Sequence, residues 1–384
     1  MNQNKQLAGL DLIRFAAAMM VMMFHLGFWI WSGSVYFHDG GSDVAYHWLA
    51  PLTCFGWIGV EIFFVLSGFV IAYSAEGSSA PDFVRGRIIR LYPSAWICST
   101  LTLCVVLVSG ISGHHGWEWL RAFLLSPSGP WIDSSYWTLG VELGFYVVVF
   151  LVLFAGRFHK IGAVMGTIGI MSAVVSVIFW YLQHSSVKVF GGTSFKAYYR
   201  GYWWFLMLLT RHGTFFAIGT LLWLCLFHKV TMGRFVAILL SVVGGLFEIA
   251  FHWERTVRNG GYYFPLFVPA GLWLLTLLAV IASVKYKSSI DQALGVRGAR
   301  LFKNLGLMTY PLYLIHSRIG YFLIPLGKGH IPDFTSLVIV VCLLLTAAYF
   351  ISKYPDRLLQ RALRRLLWQS SRPASPTVYL THPE

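Results

Sequence analysis

Two histidines, two glutamates and three arginines stand out in an otherwise apolar sequence. His25, Glu61, Glu142 and His316 each fall inside an apolar run of bilayer-spanning length, and ionisable groups at that depth face a cavity or a partner. An imidazole with a carboxylate is the usual equipment for taking a proton from a hydroxyl. Arg14 precedes His25 by eleven residues, three helical turns plus roughly 20°, so the two share a face about 16 Å apart along the axis. Arg87 and Arg90, in Phe83-Val84-Arg85-Gly86-Arg87-Ile88-Ile89-Arg90-Leu91-Tyr92-Pro93, would project from one face of a short helix. Such a guanidinium pair suits phosphate, which it grips through forked hydrogen bonds. With Arg14 nearby, a phosphorylated donor could hold its charge at that surface while an extended arm reaches His25.

Each residue also has a plainer reading. A histidine in a membrane helix can simply bond a neighbouring backbone group. Glu61 and Glu142 can be ion-pair partners of Arg211 or Arg318, and His316, after Tyr310, Pro311 and Tyr313, can serve packing. Trp137 and Tyr146 can be interfacial aromatics, and Arg87 and Arg90 can belong to a basic loop on lipid headgroups.

The elements that must position these groups are read from hydropathy. Of 384 residues, 57% are hydrophobic and only 11% charged, too few polar groups to cover a water-facing surface. About ten apolar stretches are long enough to span: 12–32, 52–74, 94–112, 136–156, 161–182, 203–228, 232–251, 263–284, 304–326 and 334–352. The expected fold is all-α, a polytopic membrane protein of about ten transmembrane helices. The first stretch, interrupted by Asp11 and Arg14 and followed by no clear cleavage motif, is expected to be retained rather than removed as a signal peptide. Residues 1–352 form the integral membrane domain and 353–384 a basic cytoplasmic tail.

Charge gives the direction. With the N-terminus inside, 19 of the 29 Lys and Arg residues fall in cytoplasmic segments, against 7 outside and three (Arg14, Arg211, Arg318) at membrane depth. That asymmetry places both termini in the cytoplasm. The net charge of +14 is then mostly topology plus the tail from Arg357 to Arg372, which is expected to lie on anionic lipid; nucleic-acid binding is excluded. Counting inward from the outer surface, Glu61 and Glu142 come to about the same level as His25 and His316, with Arg211 and His212 near. The five cysteines lie mostly in apolar runs with no CxxC pair, so neither a metal site nor a disulfide framework is expected.

Five motifs, in order, resemble the acyltransferase-3 family of integral membrane acyltransferases, in its exopolysaccharide O-acetyltransferase type. They are Gly9-Leu10-Asp11-Leu12-Ile13-Arg14-Phe15 with His25; Gly59-Val60-Glu61-Ile62-Phe63-Phe64-Val65-Leu66-Ser67-Gly68-Phe69; Arg87-Ile88-Ile89-Arg90-Leu91-Tyr92-Pro93; Tyr136-Trp137-Thr138-Leu139-Gly140-Val141-Glu142 with Phe145-Tyr146; and Tyr310-Pro311-Leu312-Tyr313-Leu314-Ile315-His316. One departure is Lys353-Tyr354-Pro355, where such proteins often carry a glutamate before the proline. No appended soluble esterase-like domain, as some relatives have, is expected.

The resemblance implies a body in the cytoplasmic (inner) membrane that takes an acyl group, commonly acetyl, from cytoplasmic acyl-CoA to a hydroxyl of a cell-surface polysaccharide or its lipid-linked precursor. Acetyl-CoA is then a donor substrate, with no permanently bound cofactor. The expected partners are that donor, the carbohydrate acceptor, membrane lipid and polysaccharide-assembly proteins. Arg14, Arg87 and Arg90 would hold the donor phosphates. His25 would be the general base, with Glu142 or Glu61 orienting its ring, an acyl-histidine intermediate being the alternative route. Trp137, Tyr146, Tyr310 and His316 would shape the substrate pocket. The rival readings are a proton-coupled transporter or flippase of a glycan precursor, and a glycosyltransferase using Asp39 and Asp43.

Overall fold

The computed structural model describes residues 7–32, 45–110, 113–185 and 208–369. The expectations on Asp39, Asp43 and the end of the basic tail lie outside these residues. Among those described there is no strand. The main helices are α1 (Ala8–Met23), α2 (Gly59–Ala75), α3 (Ala80–Val108), α4 (His115–Phe123), α5 (Trp137–Phe154), α6 (Ile161–His184), α7 (Gly213–Phe227), α8 (Met232–Gly260), α9 (Phe267–Lys285), α10 (Lys287–Leu323), α11 (Asp333–Lys353) and α12 (Pro355–Gln369).

Every apolar stretch read from the sequence carries a helix. Among the described residues eight helical segments are long and apolar enough to cross a membrane, while α7 is apolar but shorter. The remaining stretch lies in the second half of α10, where Tyr310, Tyr313, His316, Ser317 and Arg318 dilute the hydropathy of a largely buried segment. The protein is thus an all-α, multi-pass membrane protein.

Local chemistry sets several boundaries. Ser79 caps α3: its hydroxyl accepts from the Asp82 backbone N–H (3.2 Å), satisfying one unpaired donor of the first turn, and donates to the Asp82 carboxylate (2.7 Å). Because that cap starts the helix at Ala80, Arg87 and Arg90 lie within the third spanning helix rather than on a separate short one, and α3 continues through Pro93. Gly295, at φ 57° and ψ −172°, breaks α10 in a backbone region that essentially only glycine occupies. α1 runs into a π-helical turn, Phe24–Trp29, that carries His25; such turns often occur at functional sites.

The centre of the bundle is α2 against α7. A Cβ on Gly219 would lie 2.0 Å from the Val65 carbonyl oxygen, and one on Gly68 would lie 2.2 Å from that of Phe216. Glycine at both positions lets the backbones touch, and the Thr220 hydroxyl donates to the Gly68 carbonyl across the seam (3.1 Å). This contact fixes the rotation of α2, which carries Glu61 on one side and Phe63, Phe64 and Ser67 on another.

Candidate active site

A cavity of about 730 Å³, part of it continuous with the exterior, lies between α1, α2, α3, α5 and α10. Arg14, Arg87 and Arg90 all line it, as do Glu142, Tyr146 and Tyr310. Three guanidinium groups from two helices therefore converge on one space, as the sequence spacing implies. Arg14 is mostly buried, its side chain 16% exposed, with Asp11 3.8 Å away. Arg87 stacks near the rings of Phe83 (5.5 Å) and Tyr146 (5.9 Å) and reaches the Ser74 hydroxyl at 3.4 Å. Its Nε is buried with no hydrogen-bond partner, a donor left for an anion.

Glu142 belongs to this cavity and not to His25. Its Oε1 accepts from the Tyr146 hydroxyl at 2.6 Å and from Ser67 at 3.1 Å. Ser67 is six residues along α2 from Glu61, about 9 Å nearer the arginine end, so the two glutamates do not share a level. Trp137 does not line the cavity; its ring packs on His212 (5.5 Å) and Phe64 (6.2 Å).

Beyond the arginines and Glu142, the cavity wall is formed by Phe63, Thr138 and Tyr313. The Thr138 hydroxyl donates to Tyr313 (3.1 Å), and the Tyr313 ring lies 5.6 Å from that of His316. His316 in turn neighbours His25, ring centroids 5.1 Å apart. His25 Nδ1 is 2.9 Å from the Tyr321 hydroxyl. The structure thus brings His25 and His316 together, and the hydrogen-bond partner of His25 Nδ1 is the Tyr321 hydroxyl instead of either expected glutamate. The motif gave no sign of this partner, since Tyr321 lies beyond it on the same helix.

Glu61 faces the opposite side of α2. It is 0% exposed, and its Oε1 meets His252 Nδ1 at 3.0 Å, with Trp57 edge-on to that imidazole (5.0 Å). Arg211 pairs with neither expected glutamate: its Nε donates to Glu248 Oε2 at 2.8 Å, and its guanidinium lies 4.1 Å from the Phe251 ring. Glu248 and His252, which the sequence analysis does not single out, stand i, i+4 on one face of α8 and supply these partners. Arg318 meets a different carboxylate, its backbone N–H donating to Asp133 at 2.7 Å.

The described residues thus form an all-helical membrane body in which three guanidinium groups line a cavity and two imidazoles stand beyond its Tyr313 wall. The chain belongs to the acyltransferase-3 family: the family model, described as an acyltransferase domain, matches residues 7–353. The O-acetyltransferase OatA of Staphylococcus aureus (strain NCTC 8325 / PS 47) is 22% identical over 347 residues, covering 79% of this chain and 52% of that protein. YrhL of Bacillus subtilis (strain 168), provisionally named a peptidoglycan O-acetyltransferase, is 24% identical over 391 residues, covering 92% and 55%. Nodulation protein 10 of Rhizobium leguminosarum bv. viciae is 26% identical over 190 residues, covering 43% and 49%. The chain spans about half the length of these relatives. No solved structure matches it.

Proposed function

We propose that the protein is an O-acyltransferase of the cytoplasmic membrane that moves an acyl group, acetyl in the first instance, from acyl-CoA to a hydroxyl of a cell-surface polysaccharide or its lipid-linked precursor. The observation that carries this reading is the cavity itself, lined by Arg14, Arg87 and Arg90, with its wall residue Tyr313 against His316, whose ring neighbours that of His25. The arginines would hold the phosphates of the donor. Its pantetheine arm would extend past Glu142, Tyr146 and Tyr310, bringing the thioester towards the imidazoles. His25 would take the proton of the attacking hydroxyl, the hydrogen bond to Tyr321 fixing its ring. Names among the relatives support an O-acetyl group and a cell-wall glycan as acceptor class. A transporter gives no role to three arginines gathered on one cavity.

The test is release of free CoA from acetyl-CoA by membranes containing the protein, with and without envelope carbohydrate, together with NMR of that carbohydrate from wild-type and deleted cells. Acceptor-dependent CoA release and an acetyl signal lost on deletion are the expected results. His25→Ala should abolish both while leaving the amount of inserted protein unchanged; activity near wild type would remove His25 from the chemistry.

A further inference from the structure

We propose that His25 and His316 work as one imidazole pair that takes and holds the acceptor's proton, with the buried Asp133 carboxylate as its counter-charge. The proposal rests on the acyl-transfer reading above and gives its proton a destination.

His316 is 1% exposed, and its Nδ1 lies 2.7 Å from the Tyr313 carbonyl oxygen. A carbonyl can only accept, so Nδ1 carries the hydrogen, and in the neutral ring Nε2 is then an unprotonated acceptor. That Nε2 is buried with no hydrogen-bond partner. An orphan acceptor in such a place is costly, and packing alone would be served by an apolar ring. What satisfies it is a donated N–H, and the neighbouring imidazole able to offer one when protonated is His25, its ring 5.1 Å away. Two imidazolium ions at that separation repel, so the pair would hold one proton and titrate as a unit.

Asp133, 1% exposed, sits ahead of α5. Its Oδ1 accepts from the Ser135 N–H at 2.8 Å and its Oδ2 from the Arg318 N–H at 2.7 Å. Arg318 follows His316 by two residues, about 3 Å along the axis, so this carboxylate is anchored within a turn of the pair. Titratable and charged groups on the elements packed here include Tyr313, Arg318 and Tyr321 of α10, Cys98 of α3 and Tyr136 ahead of α5, both near Asp133, and Glu61 of α2, which is engaged by His252. In the transfer, with His25 Nδ1–H donating to Tyr321, the acceptor oxygen bonds to the thioester carbonyl carbon as its O–H breaks, and the proton passes to the unprotonated Nε2 of His25, where the lone pair of His316 Nε2 shares it once the two rings close to hydrogen-bond distance. When the C–S bond breaks, the electron pair leaves with sulfur and the pair returns the proton to the thiolate, giving one ester and one thiol.

His316→Gln keeps a donor for the Tyr313 carbonyl but cannot take a proton. Its turnover per folded molecule should fall about 10- to 100-fold, in the range of general-base contributions. The apparent affinity for acetyl-CoA should stay unchanged, and the acidic limb of the rate–pH profile should move. Turnover within twofold of wild type on an unchanged profile would overturn the pair, as would a loss confined to donor affinity. If the glutamine variant does not insert, His316→Asn carries the same test. Nitrogen-15 NMR of histidine-labelled protein in detergent decides independently of activity: linked titration of His25 and His316 supports the pair, and independent titration refutes it. A wild-type protein that releases no CoA would sink the acyl-transfer reading, and the NMR result would still judge the pair.

Discussion

Because the Arg87 Nε is buried without a partner while Glu142 is already satisfied by Tyr146 and Ser67, the two residues should respond differently to substitution. Arg87→Ala removes a charge-assisted donor worth about 1.5–3 kcal/mol, so the apparent affinity for acetyl-CoA should fall roughly tenfold or more with turnover little changed. Glu142→Gln preserves an oxygen for Tyr146 and removes a negative charge beside the guanidinium groups, so donor affinity should hold or rise. Steady-state kinetics with acetyl-CoA varied checks both; a turnover collapse in Glu142→Gln with donor affinity intact would return Glu142 to the proton chemistry. The residue types of the site were legible because ionisable groups are rare at membrane depth. Their pairing was not. Counting residues from a span's end fixes depth only to a turn or so, and that error separates Glu142 from His25 and Glu61 from Glu142. It also hides Asp133, whose connection to α10 is visible only once the chain is folded.

At the scale of elements, hydropathy found each long apolar helix, because a spanning helix must satisfy its own backbone whatever surrounds it, but it found neither α4 nor α12, which are amphipathic and polar. It could not find where α3 begins, since a cap and a proline act locally while the apolar window starts later. Nor could it reveal which faces meet. The α2–α7 seam depends on Gly68 and Gly219, and a glycine in an apolar run is equally compatible with a lipid-facing position. The seam makes a strong prediction. In Gly219→Val the new Cβ would start 2.0 Å from the Val65 carbonyl oxygen and 2.8 Å from the Phe69 nitrogen, both backbone atoms that cannot rotate away. Overpacking of this kind costs about 1–3 kcal/mol and would push α2 off its rotation. The detergent melting temperature should drop and CoA release should fall with it, although residue 219 does not line the cavity. A variant with unchanged melting would mean that the two backbones are not in contact.

For the whole molecule, the decisive question is which membrane surface the arginine end of the cavity faces. Lys and Arg predominate in the connections on the side of Arg85, Arg87 and Arg90, which also holds Arg157, Lys160, Lys229 and Arg234, and on the positive-inside rule this is the cytoplasmic side. The helix α12 extends that basic face with Arg357, Arg361, Arg364 and Arg365. It is tied to the bundle where Ser94 of α3, four residues beyond Arg90, donates to Asp356 at 2.7 Å. A carboxylate thus stands just after the Lys353-Tyr354-Pro355 step, within reach of α3. The donor should then be admitted from one side only. Acetyl-CoA does not cross a bilayer, so inverted membrane vesicles should release CoA without detergent, whereas right-side-out vesicles should do so only after permeabilisation. Equal rates from intact vesicles of both orientations would show that the cavity is reached from both sides, and a reversed preference would invert the topology and place the arginines outside. Running the same vesicles with Arg87→Ala separates the cavity from any other route: the inverted vesicles should lose donor affinity, while a leak through damaged membranes would be indifferent to the substitution.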